Sequence, residues 1–113
     1  MALYHFEIGL PKNLTFKPVI GLIPSGHADK ARFDDPRGVI ILPKHFLPGV
    51  ANVIEVETDA FGNLVKILAR QKHDSRNDVV YAFLVGSKVI KTAWLQTSTD
   101  LHRTLDRSHY DIP

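Results

Sequence analysis

The sequence predicts an α+β fold: a single domain over residues 1–113, with a four-stranded antiparallel β-meander and one short N-terminal helix packed on one face. Three observations lead there. Residues 52–95 read as four strand-like runs separated by turn formers. Ser25 opens a short stretch with helical spacing. A chain of 113 residues suits one domain and can bury a core without staples.

The elements follow in order. Tyr4 to Ile8 and Val19 to Ile23 are short candidate strands, with Pro11 and Pro18 bracketing a loop between them. Ser25 is the expected N-cap of a helix over Gly26-His27-Ala28-Asp29-Lys30-Ala31-Arg32-Phe33, with Asp29 in the first turn, where a negative charge suits the dipole. Asp34-Asp35-Pro36-Arg37-Gly38 breaks that helix, and Val39 to Leu42 follows as a buried strand or edge segment. Asn52 to Thr58 is rich in Val and Ile, with Glu55 and Glu57 alternating. Asp59 to Asn63 turns the chain, Gly62 and Asn63 being able to take positive φ. Leu64 to Lys72 returns, Asp74 to Asp78 breaks, and Val79 to Val85 is apolar on both faces, as in a central strand. Gly86-Ser87 reads as a type II′ hairpin, and Lys88 to Leu95 pairs back. Gln96 to Pro113 is a polar tail.

Composition removes several function classes. With no cysteine there are no disulfides, thiolate zinc sites or cysteine nucleophiles, and a cytoplasmic protein is the simplest expectation. The most apolar run, Val79 to Gly86, is far shorter than the ~20 residues a spanning helix needs, so no membrane partner is expected. The net charge of +2 does not by itself demand nucleic acid, which leaves a passive nucleic-acid-binding module the weakest reading. No phosphate-cradling glycine loop and no nucleophile elbow is present. The six histidines do not form a zinc-binding spacing, so neither metal nor cofactor is expected.

What remains is a set of basic, aromatic and histidine side chains. Strand alternation puts Lys66, Leu68, Arg70 and Lys72 on one face and Val65, Ile67 and Ala69 on the face toward the helix. In the last strand Ile90, Thr92 and Trp94 alternate with Val89, Lys91, Ala93 and Leu95, and the sequence leaves open which set lies beside Lys66 and Arg70. A cationic sheet face with an aromatic can seat a phosphodiester and a stacked base; a solvated outer face is the plain alternative. His27, second in the helix, would have its pKa lowered by the positive helix end and can act as a general base, or it merely packs there. In the tail, His102, Arg103, Thr104 and Tyr110 can close over a site, or form a charge-balanced surface segment.

Three pieces together carry a resemblance: Ser25-Gly26-His27-Ala28 after an apolar strand, Lys66 and Arg70 on a meander strand, and Val89-Ile90-Lys91-Thr92-Ala93-Trp94-Leu95 leading to His102-Arg103-Thr104-Leu105-Asp106. This layout resembles small uncharacterised proteins of phages and mobile elements. More distantly it is similar to the barnase, EndoU, colicin and RelE superfamily of metal-independent ribonucleases. The resemblance implies a toxin-like ribonuclease that cleaves RNA by 2′-hydroxyl attack and leaves 2′,3′-cyclic phosphate ends. His27 and His102 would then exchange protons, Arg70 would clamp the phosphate, and Thr92 would bond a phosphoryl oxygen. Lys66, Lys91 and Arg103 would add charge or contacts, and Trp94 or Tyr110 would stack a base. The alternative expectation is a non-catalytic interaction protein that binds and inhibits a host protein, for which the edge of the meander would accept a partner strand.

Overall fold

The computed structural model describes residues 2–5 and 15–99. Eight strands and one helix run in the order β1 (Ala2–His5), β2 (Val19–Ile20), β3 (Ile23–Pro24), α1 (Gly26–Ala31), β4 (His45–Phe46), β5 (Asn52–Thr58), β6 (Leu64–Lys72), β7 (Asn77–Leu84) and β8 (Val89–Thr97). Six of the strands form one sheet in the order β1-β5-β6-β7-β8-β3, while β2 and β4 form a separate antiparallel ribbon. β3 runs parallel to β8, so the large sheet is mixed.

This overturns the α+β expectation of a four-stranded antiparallel meander carrying a helix. The described chain is mostly strand, and its helix has six residues. The successive antiparallel ladders from β5 to β8 are present, but the sheet extends past both ends of that run. β1 and β3 pair with residues fifty or more positions away, and nothing in so short a segment marks it for a distant edge.

Local differences have local causes. Gly21, at φ +81°, separates what the sequence reads as a single strand, Val19 to Ile23. The chain changes direction there, sending β2 to the ribbon and β3 to the large sheet. Val39 to Leu42 is not a strand; it forms a strap that anchors Ile40 in the core at 1% exposure. The β7–β8 connection is not a type II′ turn. Lys88, not Gly86, takes the left-handed conformation (φ +63°), and its N–H donates to Leu84 C=O at 2.9 Å. Gly62 is left-handed at φ +82°, but Asn63 is not. Asp59 holds that turn instead, accepting from the Phe61 and Asn63 N–H groups.

Two buried layers flank the sheet. On one face Ile67, Ala69, Val79, Tyr81, Phe83, Ile90, Ala93 and Leu95 pack under Ala28 of α1, Ile40 of the strap and Phe46 of β4. Phe46 and Phe83 meet ring to ring at 5.2 Å between centroids. Ser25 caps α1 as the sequence predicts, accepting from Ala28 N–H at 3.0 Å. On the opposite face Ile54, Leu68, Val80, Ala82 and Trp94 form a smaller cluster. None of the helices among the described residues is long and apolar enough to cross a membrane.

Candidate functional site

The smaller cluster lies on the face that the sequence singles out for chemistry. Cross-strand register sets its rows. Asn52, Arg70, Val80 and Trp94 line up across β5 to β8; Glu55, Leu68, Ala82 and Thr92 form the next row; Glu57, Lys66 and Leu84 form a third. Lys66, Arg70, Thr92 and Trp94 therefore share one face. Ile90 does not join them. The ladder shifts between Ala82 and Phe83, so Thr92 pairs with Ala82, Ile90 pairs with Phe83, and Lys91 is left as the extra residue of a bulge. The bulge sends Ile90 to the helix side of the sheet while Thr92 and Trp94 stay beside Arg70.

The chemistry of this face differs from the cationic surface expected. Glu55, Glu57, Arg70, Thr92 and Trp94 are all buried. Three carboxylates, Glu55, Glu57 and Asp78, stand among the three cations Lys66, Arg70 and Lys72, so the face is charge-balanced and has no excess of positive charge for a phosphodiester. The Arg70 Nε is paired with Asp78 Oδ2, and Arg70 Nη2 donates to Thr97 C=O at 2.8 Å. The guanidinium is thus committed to holding three strands together: its own β6, β7 through Asp78 and β8 through Thr97. Glu57 faces Lys66 directly, and that pairing was legible in principle: carboxylates alternating on one strand of a hairpin match cations alternating on the other.

His27 lies on the other side of the sheet. It sits exposed on α1, whose Ala28 packs into the large cluster, so it does not converge with Arg70. Lys91 is near that helix start, where Ser25 Oγ donates to Lys91 C=O at 3.2 Å. His102, Arg103, Thr104 and Tyr110 lie outside the described residues. The structure therefore gathers Lys66, Arg70, Thr92 and Trp94 on one face and separates His27 from them, while the bulge leaves Lys91 without a register partner. No group of three or more potential metal ligands occurs among the described residues.

The edges of the meander are partly covered within the chain. β1 covers β5 and β3 begins to cover β8. Beyond β3, Ser25 N–H donates to Ile90 C=O at 2.9 Å, Ser25 Oγ takes Lys91 C=O, and Asp35 Oδ2 accepts from Leu95 N–H at 2.8 Å. Side chains and a helix start thus occupy groups that a guest strand would need.

Sequence reasoning missed the layer that covers the large cluster. The Leu22 N–H to Lys44 C=O bond at 2.8 Å extends the ribbon, and Ile40 N–H to Arg32 C=O at 2.9 Å ties the strap to the C-cap of α1. Exposed large hydrophobics recur along this stretch of chain: Ile20 on β2, Ile23 on β3, Phe33 after α1, Val39 and Ile41 on the strap, and Leu47 and Val50 between β4 and β5, Ile41 at 73%. Lys17, Lys30, Arg37 and Lys44 are exposed in the same stretch, as are Asp29 and Asp34. Two histidines work within this layer. His45 Nδ1 accepts from Gly21 N–H at 3.0 Å, and His73 Nε2 accepts from Ile41 N–H at 2.8 Å. Asp74, beside His73, is held down to about 2, first by the Arg76 N–H and next by the His73 ring. Burial pushes the Tyr81 phenol up; its hydroxyl donates to Gln71 Oε1 at 2.7 Å. Comparison with protein-family models, with curated proteins and with solved structures finds no match to this chain.

Proposed function

We propose that this chain is a non-catalytic binding protein that docks another protein on the outer side of its strap and ribbon layer. One observation carries the reading: of the eight exposed large hydrophobic side chains among the described residues, seven fall between Ile20 and Val50. Single exposed apolar residues are ordinary, but seven within one stretch of about thirty residues that covers the larger core cluster favour a contact surface. In this stretch exposed Lys17, Lys30, Arg37 and Lys44 outnumber exposed Asp29 and Asp34, so the partner that fits is a protein with an apolar patch bordered by carboxylates. Metal-free RNA cleavage, in contrast, needs base, acid and cation around one phosphate. Here His27 is across the sheet from Arg70, and Arg70 is already engaged.

The test is capture of a partner from cell extract by the full chain and by Ile20→Asp and Ile41→Asp variants, with circular dichroism to verify folding. A stoichiometric protein held by wild type and weakened at least tenfold by each variant is the expected result, since a buried unpaired charge in an interface is strongly unfavourable. Equal capture by the variants, or no stoichiometric protein, overturns the docking surface. In parallel, the purified protein is incubated with cellular RNA in EDTA. Discrete cuts with 2′,3′-cyclic phosphate ends, lost in His27→Ala, would establish the ribonuclease in its place.

A further inference from the structure

Both histidine contacts in the outer layer run the same way: a backbone N–H donates to an imidazole nitrogen. Such a nitrogen accepts only while it carries no proton. His45 must therefore hold its proton on Nε2, leaving Nδ1 for Gly21. His73 must hold its proton on Nδ1, which lies 3.0 Å from Asp74 Oδ2, leaving Nε2 for Ile41. An imidazolium has donors at both nitrogens and turns each of these contacts into a clash of two N–H groups.

We propose that His45 and His73 form a proton-operated latch: neutral, His45 ties Gly21 to β4 and His73 ties Ile41 of the strap to the β6–β7 turn, and protonated, they release them. The groups around His73 are few. Its side chain is 7% exposed, and Asp74 is the charged group in contact with it. The strap segment packed against it offers the Ile41 backbone between the apolar Ile40 and Leu42; its nearest charged residues along the chain are Arg37 and Lys44. On its own turn stand Lys72 and Arg76, both exposed. Asp74 also accepts the Arg76 and Asn77 N–H groups at 2.8 Å each, and this keeps it anionic through the histidine range. A proton added at Nε2 therefore trades the Ile41 bond for a charged pair with Asp74. His45 is exposed and meets the Gly21 backbone, with Ile20 opposite it on β2 and Lys44 beside it on the chain.

Glycines in the left-handed region stand at both released segments. Gly21 (φ +81°) is itself one tethered point, and Gly38 (φ +132°) precedes the strap. Ile40 remains anchored by its burial and its bond to Arg32, so the opening is local. The latch does not depend on the docking reading, although Val39, Ile41 and Ile20 on the released segments belong to that surface.

The test is backbone amide exchange on the full chain at pH 7.5 and 5.5, expressed as protection relative to the unstructured rate at each pH. Ile41 and Gly21 are expected to lose protection on the order of tenfold at pH 5.5, as for loss of one hydrogen bond, while Phe83 in the core keeps its own. In His73→Gln and His45→Asn the amide oxygen replaces the accepting nitrogen and does not titrate, so the drop disappears at Ile41 and Gly21 respectively. Nitrogen NMR of the wild-type rings at pH 7.5 gives a readout that needs no variant. A proton on Nε2 of His73 or on Nδ1 of His45, or pH-independent protection in wild type, overturns the proposal. So does the same pH-dependent drop in the variants.

Discussion

Replacing Arg70 with alanine separates a structural guanidinium from a ligand-binding one. Arg70 is 5% exposed, is paired with Asp78 and donates to Thr97 C=O. Removing one member of a buried ion pair costs about 3–5 kcal/mol, because the other charge stays behind unpaired. Asp78 keeps 18% side-chain exposure and accepts from Ser98 Oγ at 3.1 Å, which places the loss at the lower end, about 3 kcal/mol. For a chain of 113 residues an unfolding entropy of roughly 2.1 cal/mol/K per residue converts this to a fall in Tm of about 12 °C. Urea titration and thermal melting followed by circular dichroism measure both quantities. An Arg70→Met, Asp78→Leu double variant should recover most of the loss, since an apolar pair of similar volume leaves no buried charge. A loss below about 1 kcal/mol in Arg70→Ala, or a double variant as unstable as the single one, would refute the argument that Arg70 is held by the fold.

Further predictions rest on single contacts. Ser25→Ala removes both the helix cap and the bond to Lys91 C=O, and should lower stability by about 1–2 kcal/mol in urea titration. Phe46→Ala empties a fully buried site against Phe83 and should remove about 3–5 kcal/mol, enough to show as a large shift of the urea midpoint. Lys88→Gly relieves a left-handed backbone and should stabilise by up to about 1 kcal/mol; destabilisation would mean the loop does not need that conformation. The Asp74 carboxyl should titrate near 2 by carbon NMR. Its folded value lies below the ordinary one, so its contribution is present above the ordinary carboxylate range and is lost as pH falls toward 2; a midpoint near 4 contradicts the hydrogen bonds from Arg76, His73 and Asn77.

How much was legible depended on the range of the interaction. Ser25 at the start of α1 could be read because a cap joins residues three apart. The β5–β6 and β6–β7 turns could be placed because Asp, Asn, Gly and Ser clusters interrupt β-branched runs. The charge balance of the buried face was half legible: Glu57 and Lys66 face each other in a hairpin, but the pairing of Arg70 with Asp78 becomes visible only once the register is known. The histidine contacts were not legible at all, since Ile41 and His73 are separated by 32 residues, and Gly21 and His45 by 24.

By itself, then, the sequence determined the strand runs of the second half, where their turns fall and the cap of the short helix, because each arises from neighbours along the chain. Tertiary structure decided the rest. It attached β1 and β3 as edges, because strand pairing is satisfied by any backbone brought alongside. It placed Thr92 and Trp94 beside Arg70 and turned Ile90 to the opposite side. A single bulged residue, Lys91, reverses the alternation of side chains, and no periodicity reveals where a ladder will slip.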